Sequence, residues 1–221
     1  MSKKIIAFSL WGDSPKYCVG AIKNAEIAQT IYPDWTCRFY IGKSTPQSYI
    51  SQLISLKNTE VFIMKEPGNW VSTFWRFLAV DDYSTSIVLL RDTDSRISLR
   101  EQAAVNEWIS SDKAYHIMRD HPQHGTPILA GMWGVKKPID INFYKSITSF
   151  PLQNYYGIDQ EFLAKIVYPT AKNSSIVHDE FFDKKPFPIK RNGIEYVGQV
   201  FLEDDSTIKE HTDNFKKYFN I

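Results

Sequence analysis

The chain has 221 residues and a formal net charge of +1, which argues against the extended basic surface that nucleic-acid binding requires. A chain of this length can bury one large α/β core, so one domain is expected. No apolar stretch approaches the roughly 20 residues that span a bilayer, and no membrane span is predicted. Cys18 and Cys37 lie in apolar segments as expected of free thiols, which favours a reducing, cytoplasmic location.

Short apolar runs alternate with amphipathic segments through the first half of the chain. Strands are predicted at residues 5–10, 37–41, 61–64 and 87–90. Helices are predicted from about Lys16, after Thr45-Pro46, and over residues 70–80. This alternation predicts βαβ units with right-handed crossovers. Residues 1–97 are therefore expected to form a nucleotide-binding half.

The pattern becomes less regular in the second half. Ser98 and Glu101 form a capping box that begins another helix. A strand is predicted at residues 115–118, and a further short one at 175–178. Between them, residues 121–134 are rich in His, Pro and Gly, the composition of a long loop that carries binding residues.

The fourth predicted strand ends in two carboxylates, Asp92 and Asp94, separated by Thr93. Ligands of α/β sheets collect at the carboxyl ends of the strands. Paired carboxylates can hold Mg²⁺ or Mn²⁺, which share their oxygen ligands with substrate phosphates. An isolated Asp-x-Asp is more often a pair of surface aspartates in a turn, but its position after the fourth strand favours a metal site.

The apolar strand followed by Asp92-Thr93-Asp94 resembles the DXD motif of GT-A glycosyltransferases. Residues 156–163, which contain Asp159-Gln160-Glu161, resemble the Asp-Gln-Asp segment of the families related to glycogenin and bacterial galactosyltransferases. The resemblance implies an α/β GT-A fold, with a Rossmann-like mixed central sheet and flanking helices in a single domain of residues 1–221. It also implies that residues 98–221 form the half that binds the sugar and the acceptor.

The resemblance implies roles for individual residues. Asp92, Asp94 and His178 would hold Mn²⁺ or Mg²⁺. Asp159 and Asp120 are the catalytic candidates, with helix capping as the alternative for Asp159. The residues expected to bind the donor are Ser9, Leu10, Trp11, Arg76, Arg91, Thr93, Gly131, Met132, Trp133, Gln160 and Lys185. His121 is expected to bind the acceptor.

Two of these assignments have specific reasons. Arg76 places a charge on an otherwise apolar helical face, and a buried guanidinium needs a carboxylate or phosphate partner; pairing with Asp92 alone is the alternative. Lys185 follows His178 within a Lys-Pro-aromatic segment that resembles the diphosphate-binding end of the family, where Lys184 is the other candidate.

The expected function is metal-dependent transfer of a sugar from a nucleotide-diphosphate sugar, preferably a UDP-sugar, to a glycan or another hydroxyl acceptor. Inversion and retention of configuration both remain open. One alternative is a metal-dependent nucleotidyltransferase, although residues 10–16 contain one glycine and no Gly-rich basic loop. The other is a catalytically silent carbohydrate-binding domain.

Overall fold

Seven strands form one sheet in the computed structural model, which describes residues 2–219. The strands are β1 (Lys3–Leu10), β2 (Thr36–Ile41), β3 (Thr59–Ile63), β4 (Thr85–Arg91), β5 (Tyr115–Arg119), β6 (Met132–Lys136) and β7 (Ser175–Asp179). Their order across the sheet is β3-β2-β1-β4-β6-β5-β7.

Helices flank this sheet. They are α1 (Pro15–Ile31), α2 (Gln47–Ser55), α3 (Leu78–Asp81), α4 (Leu99–Ser110), α5 (Phe143–Thr148), α6 (Ile158–Phe162), α7 (Tyr168–Ala171) and α8 (Lys209–Phe219). Two 3₁₀ helices (Trp70–Phe77 and Lys172–Ser174) and a π-helical turn (Leu163–Val167) complete them. Within residues 2–219, none of the helices has the length and apolar character needed to cross a membrane.

Strand directions confirm the mixed sheet. β1 pairs in parallel with β2 and β4, and β2 with β3, as the alternation of strands and helices predicts. β6 is antiparallel to both β4 and β5, whereas β7 is parallel to β5. β6 begins at Met132, inside the stretch expected to be irregular, and Trp133 pairs with Leu90 of β4.

Alternating side chains of the central strands fill one core on each face of the sheet. Ile6 and Phe8 pack with α1 and α2, whereas Ile5 and Ala7 belong to the core on the opposite face. The predicted free thiols belong to the α1 side, where both are buried. Burial, with a contribution from Asp13, raises the pKa of Cys18 to about 11, and burial raises that of Cys37 to about 12.

The helix expected over residues 70–80 is a 3₁₀ helix that continues into α3. Asn69 caps its start by accepting a hydrogen bond from the Val71 N–H at 2.9 Å. The N–H of Arg76 donates to Ser9 Oγ on β1 at 3.0 Å, so it is not available for the α-helical bond to the carbonyl of Ser72. This contact fixes Arg76 against the end of the central strands.

Candidate active site

A cleft of about 930 Å³ lies at the carboxyl ends of β1 and β4, the edge where α/β sheets bind ligands. The start of β6, the loop after β5, the start of α6 and the beginning of α8 complete its walls. Most residues expected to act together line this cleft. Those expected to bind the donor are Ser9, Leu10, Trp11, Arg76, Thr93, Gly131, Met132 and Gln160, and the others are Asp92, Asp94, Asp159 and His121.

Arg76 joins the two acidic segments under the cleft. Its side chain is buried, and Nη2 donates to Asp159 Oδ2 at 2.8 Å while Nη1 donates to Asp92 Oδ1. Burial alone would lower the pKa of Arg76, but the charges of Asp92 and Asp159 raise it. The guanidinium therefore stays charged and ties the end of β4 to the start of α6, so pairing with Asp92 alone is not the arrangement.

Asp92 and Asp94 differ in their surroundings. The side chain of Asp92 is 49% exposed, whereas that of Asp94 is 15% exposed and pairs with Lys16 Nζ at 2.8 Å. Burial and the charge of Asp92 raise the pKa of Asp94, against the opposing effect of Lys16. Burial lowers the pKa of Lys16, but Asp94 outweighs it and raises the value. Lys16, in the first turn of α1, is a site residue that the motifs did not indicate.

Two glycines allow the Asp-Thr-Asp turn to pack closely. A Cβ atom on Gly131 would lie 2.0 Å from Asp92 Oδ2, and one on Gly20 of α1 would lie 2.2 Å from the carbonyl oxygen of Thr93. Both separations are far inside van der Waals contact. The position of the turn therefore depends on the absence of side chains at 131 and 20.

Asp159 and Gln160 are held firmly at the start of α6. Asp159 Oδ1 accepts a hydrogen bond from the Gln160 N–H at 2.9 Å, and Gln160 Oε1 accepts one from the Ala130 N–H at 2.7 Å. The N-cap of α6 is Gly157, with a φ of +89°. Asp159 is thus not the helix cap, and its carboxylate instead faces Arg76.

Aromatic rings form the wall beside the β1 end of the cleft. Trp11 meets Trp70 edge to face with ring centroids 6.1 Å apart, and Trp70 meets Tyr156 in the same way at 5.1 Å. Tyr156 is 80% exposed although it lines the cleft. Such exposed rings provide apolar faces on which sugars and nucleobases can stack.

The structure corrects the expected catalytic role of Asp120. Its carboxylate is fully buried, accepts hydrogen bonds from Arg100 at 2.9 and 3.0 Å and from Arg191 at 2.7 Å, and also accepts the Val197 N–H at 2.9 Å. With both oxygens occupied and no surface in the cleft, Asp120 holds the loops together and is not placed to contact a substrate.

The expected third metal ligand, His178, lies away from the two aspartates. β6 and β5 separate its strand from β4. Its Nδ1 is 2.8 Å from His116 Nε2, and its Nε2 is 3.5 Å from Glu107 Oε1. Residues 2–219 contain no group of three acidic, His or Cys side chains placed to hold a metal ion. The structure therefore does not assemble Asp92, Asp94 and His178 into one site.

Three residues expected to bind the donor also lie outside the cleft. Arg91 follows the strand alternation to the face opposite Asp92, where Nε donates to Glu101 Oε1 at 2.8 Å. Trp133 is fully buried in the sheet core. Lys185 is exposed, and its backbone pairs with that of Asp179 through two hydrogen bonds of 2.6 Å. These positions correct the expected donor contacts.

The loop after β5 brings imidazoles to the other end of the cleft. The ring nitrogens of His121 are both used, since Nδ1 accepts the Gln123 N–H at 3.1 Å and Nε2 donates to the carbonyl of His211 at 3.0 Å. His121 therefore has no ring nitrogen left to bind an acceptor. His124 and Tyr196 also line this end; the composition of residues 121–134 pointed to the loop but not to these contacts.

Comparisons with known proteins identify the fold. No protein-family model matches the sequence, and no curated protein matches it. Among solved structures, the chain is similar to a glycosyltransferase involved in glycosylation of the major capsid of PBCV-1, with a TM-score of 0.52, 18% identity, and coverage of 80% of this chain and 82% of that one.

Two further structures show the same architecture. Glucosyl-3-phosphoglycerate synthase from Mycobacterium tuberculosis, in complex with Mn²⁺ and UDP-glucose, has a TM-score of 0.50 and 15% identity over 86% of this chain and 72% of that one. A 4-diphosphocytidyl-2C-methyl-D-erythritol synthase from Anaerococcus prevotii has a TM-score of 0.50 and 11% identity over 99% and 97%. The chain thus has the GT-A fold of glycosyltransferases, an architecture that it shares with this synthase.

Proposed function

We propose that this protein is a metal-dependent glycosyltransferase that moves a sugar from a nucleotide-diphosphate sugar, with UDP-sugars favoured, to a hydroxyl acceptor. The observation that carries the proposal is the pair Asp92 and Asp94 at the end of the central strand β4, inside the cleft at the carboxyl ends of the strands of a GT-A fold. Arg76 joins this pair to Asp159, so the elements expected to bind metal, donor and sugar meet in one place.

The carboxylate ligands available in the cleft suit Mn²⁺ or Mg²⁺. Asp92 keeps Oδ2 free of hydrogen bonds from any residue of the described range 2–219, and this oxygen lies in the space that a side chain at position 131 would need. Two protein carboxylates suffice for cations that complete their coordination with water and substrate phosphates. When bound, such a cation would neutralise charge on the departing nucleoside diphosphate. The proposed ligands are Asp92 and Asp94, without His178.

The neighbouring elements favour a nucleotide at the β1 end. The N-terminus of α1 opens onto the cleft next to Gly12 and Lys16, and a helix N-terminus attracts phosphate groups. Trp11 supplies a ring for the nucleobase or ribose. Ser9 lines the same end, but its hydroxyl already binds the 3₁₀ helix, so it supports Arg76 instead of a ligand.

Asp159 is suited to the reacting sugar. Arg76 and the Gln160 N–H fix both of its oxygens. A fixed carboxylate can stabilise the positive charge that develops on the sugar in an oxocarbenium-like transition state. This arrangement supports a division in which residues 1–97 bind the nucleotide and residues 98–221 supply the sugar and acceptor contacts.

The proposal is tested by incubating the protein with UDP-, GDP- and dTDP-sugars in Mn²⁺, Mg²⁺ or chelator and measuring the release of free nucleotide. We expect slow metal-dependent hydrolysis of one donor class. Release of pyrophosphate from a nucleoside triphosphate and a sugar phosphate would instead establish a nucleotidyltransferase. The A. prevotii synthase has a fold similar to that of this chain. Binding of free sugars with no turnover and no metal effect would establish a carbohydrate-binding domain.

Gly131→Ala is expected to weaken metal-dependent donor binding at least about tenfold, because the added Cβ overlaps Asp92 Oδ2 and forces the carboxylate to move. Gly125→Ala is the matched control, since its Cβ would meet Phe182 at an ordinary 3.8 Å. Calorimetric titration with the preferred donor measures both. Equal affinities of the two variants would show that the position of Asp92 is unimportant for the donor.

A further inference from the structure

The strand order separates the two ends of the cleft. β1 lies on one side of β4, whereas β6 and β5 lie on the other. Trp11 therefore marks one end, Asp92 the middle, and the loop that carries His124 the opposite end. If the nucleotide occupies the β1 end, as the proposed function requires, the acceptor must approach from the β5 end.

His124 offers a hydrogen-bond donor of fixed identity at that end. The N–H of Asp120 donates to His124 Nδ1 at 3.0 Å, so Nδ1 must be unprotonated and the hydrogen of the neutral ring must lie on Nε2. His124 Nε2 has no hydrogen-bond partner among the side chains and backbone of residues 2–219, and the ring lines the cleft. The Nε2–H group is therefore left to bind a ligand.

The surroundings keep this donor in place and uncharged. The Asp120 backbone that orients it is anchored by the buried carboxylate of the same residue. Tyr196 packs against the ring of His124 with centroids 5.9 Å apart. Burial, helped by the nearby His121, His211 and Arg191, lowers the pKa of His124 to about 3. The imidazole consequently stays neutral throughout the physiological pH range.

The charges of the cleft favour an uncharged acceptor. Two basic side chains, Lys16 and Arg76, line the described part of the cleft. Lys16 pairs with Asp94. Arg76 pairs with both Asp92 and Asp159. The β5 end has no lysine or arginine of its own in its described lining. Arg191 lies behind this lining and is already paired with Asp120 and Glu180. A phosphate or carboxylate would therefore find no lysine or arginine in the lining and would face the carboxylates of Asp92 and Asp94.

We propose that the β5 end of the cleft is the acceptor site, and that it takes an uncharged, hydroxyl-bearing molecule such as a sugar, one of whose hydroxyl oxygens accepts a hydrogen bond from His124 Nε2. This inference rests on the proposed function and names its acceptor class. His124 positions the acceptor and selects against anionic acceptors. A neutral N–H group can orient a hydroxyl oxygen, but it cannot neutralise a negative charge.

Two substitutions separate the roles of the two ring nitrogens. His124→Asn keeps an oxygen near the position of Nδ1 for the Asp120 N–H but has no donor at the Nε2 position. His124→Gln places an amide N–H near Nε2. Binding of methyl glucoside, methyl galactoside and methyl mannoside is measured by saturation-transfer NMR with UDP and diamagnetic Mg²⁺ present, and 3-phosphoglycerate serves as the anionic probe.

We expect wild type to bind at least one methyl glycoside and to prefer it to 3-phosphoglycerate. His124→Asn should weaken that binding about tenfold, the effect of one lost hydrogen bond to a ligand, and His124→Gln should restore it to within about threefold. Failure of every methyl glycoside to bind, a preference for 3-phosphoglycerate, or equal binding by all three proteins would overturn the inference. The comparison of neutral and anionic probes needs wild type alone, so it holds even if a variant does not fold.

Calorimetric titration of the same three proteins, before any nucleotide or metal ion is added, with UDP and Mn²⁺ separates the two proposals. Metal-dependent UDP binding with no effect of His124→Asn on glycoside binding would reject the acceptor site and leave the proposed function standing. Absence of metal-dependent binding of UDP, GDP and dTDP by wild type would reject both.

Discussion

Replacement of Arg76 by Met is expected to reduce donor turnover at least about 100-fold, because it removes the charge that positions Asp92 and Asp159 in the proposed active site. It should also destabilise the fold by about 3–5 kcal/mol, since it leaves a nearly buried carboxylate without its partner. Arg76→Lys should recover little turnover, because a single ammonium cannot bridge two carboxylates as the planar guanidinium does.

Arg38→Met is the matched control for this prediction. Arg38 is also buried and also joins two carboxylates, those of Glu60 and Asp82, but it does not line the cleft. Urea unfolding should show a loss of stability in both variants, whereas nucleotide release by the folded protein should fall only in Arg76→Met. Equal turnover in the two variants would contradict the role given to Arg76.

Replacement of Asp120 by Ala is expected to destabilise the protein by about 3–5 kcal/mol. The substitution leaves the guanidinium of Arg191 with Glu180 as its one remaining carboxylate, and does the same to Arg100. Asp183→Ala is the control, because Asp183 also pairs with an arginine but is 46% exposed. Its loss should cost about 1 kcal/mol or less.

Asp120→Asn distinguishes a structural from a catalytic role. Because the amide keeps the shape and one acceptor oxygen, we expect part of the stability to return and the folded fraction to hydrolyse the donor at close to the wild-type rate. Unfolding curves and nucleotide release on the same preparation measure both. A fully stable Asp120→Asn protein with no turnover would restore the catalytic assignment that the buried position of Asp120 argues against.

The fold of residues 1–97 was predictable because its contacts are local in sequence. Apolar runs and crossover helices give consecutive parallel strands, and the end of β4 then places Asp92 and Asp94 at the binding edge. The alternation of a strand also explains why Arg91 turns away from its neighbour Asp92. The strand assignment alone was therefore enough to predict that Arg91 lies on the face opposite Asp92.

The second half was harder to predict because its contacts join distant segments. The antiparallel β6 inserts between β4 and β5, so His178 lies on the strand at the edge of the sheet, separated from β4 by two strands. Asp120 accepts a hydrogen bond from Arg191, which lies 71 residues further along the chain, and no local sequence pattern indicates that partner. The pairing of Lys16 with Asp94 similarly depends on how α1 lies over the β4 turn.

Calorimetric titration of wild type, Asp94→Asn and Asp13→Asn with the preferred UDP-sugar, in Mn²⁺ and in chelator, tests the central claim most directly. Asp13 is an exposed carboxylate in the same cleft, so its replacement removes the same charge without touching the metal site. The account predicts Mn²⁺-dependent binding that falls about 100-fold in Asp94→Asn and changes less than about threefold in Asp13→Asn. Binding that is equal with and without metal and survives Asp94→Asn would contradict the claim.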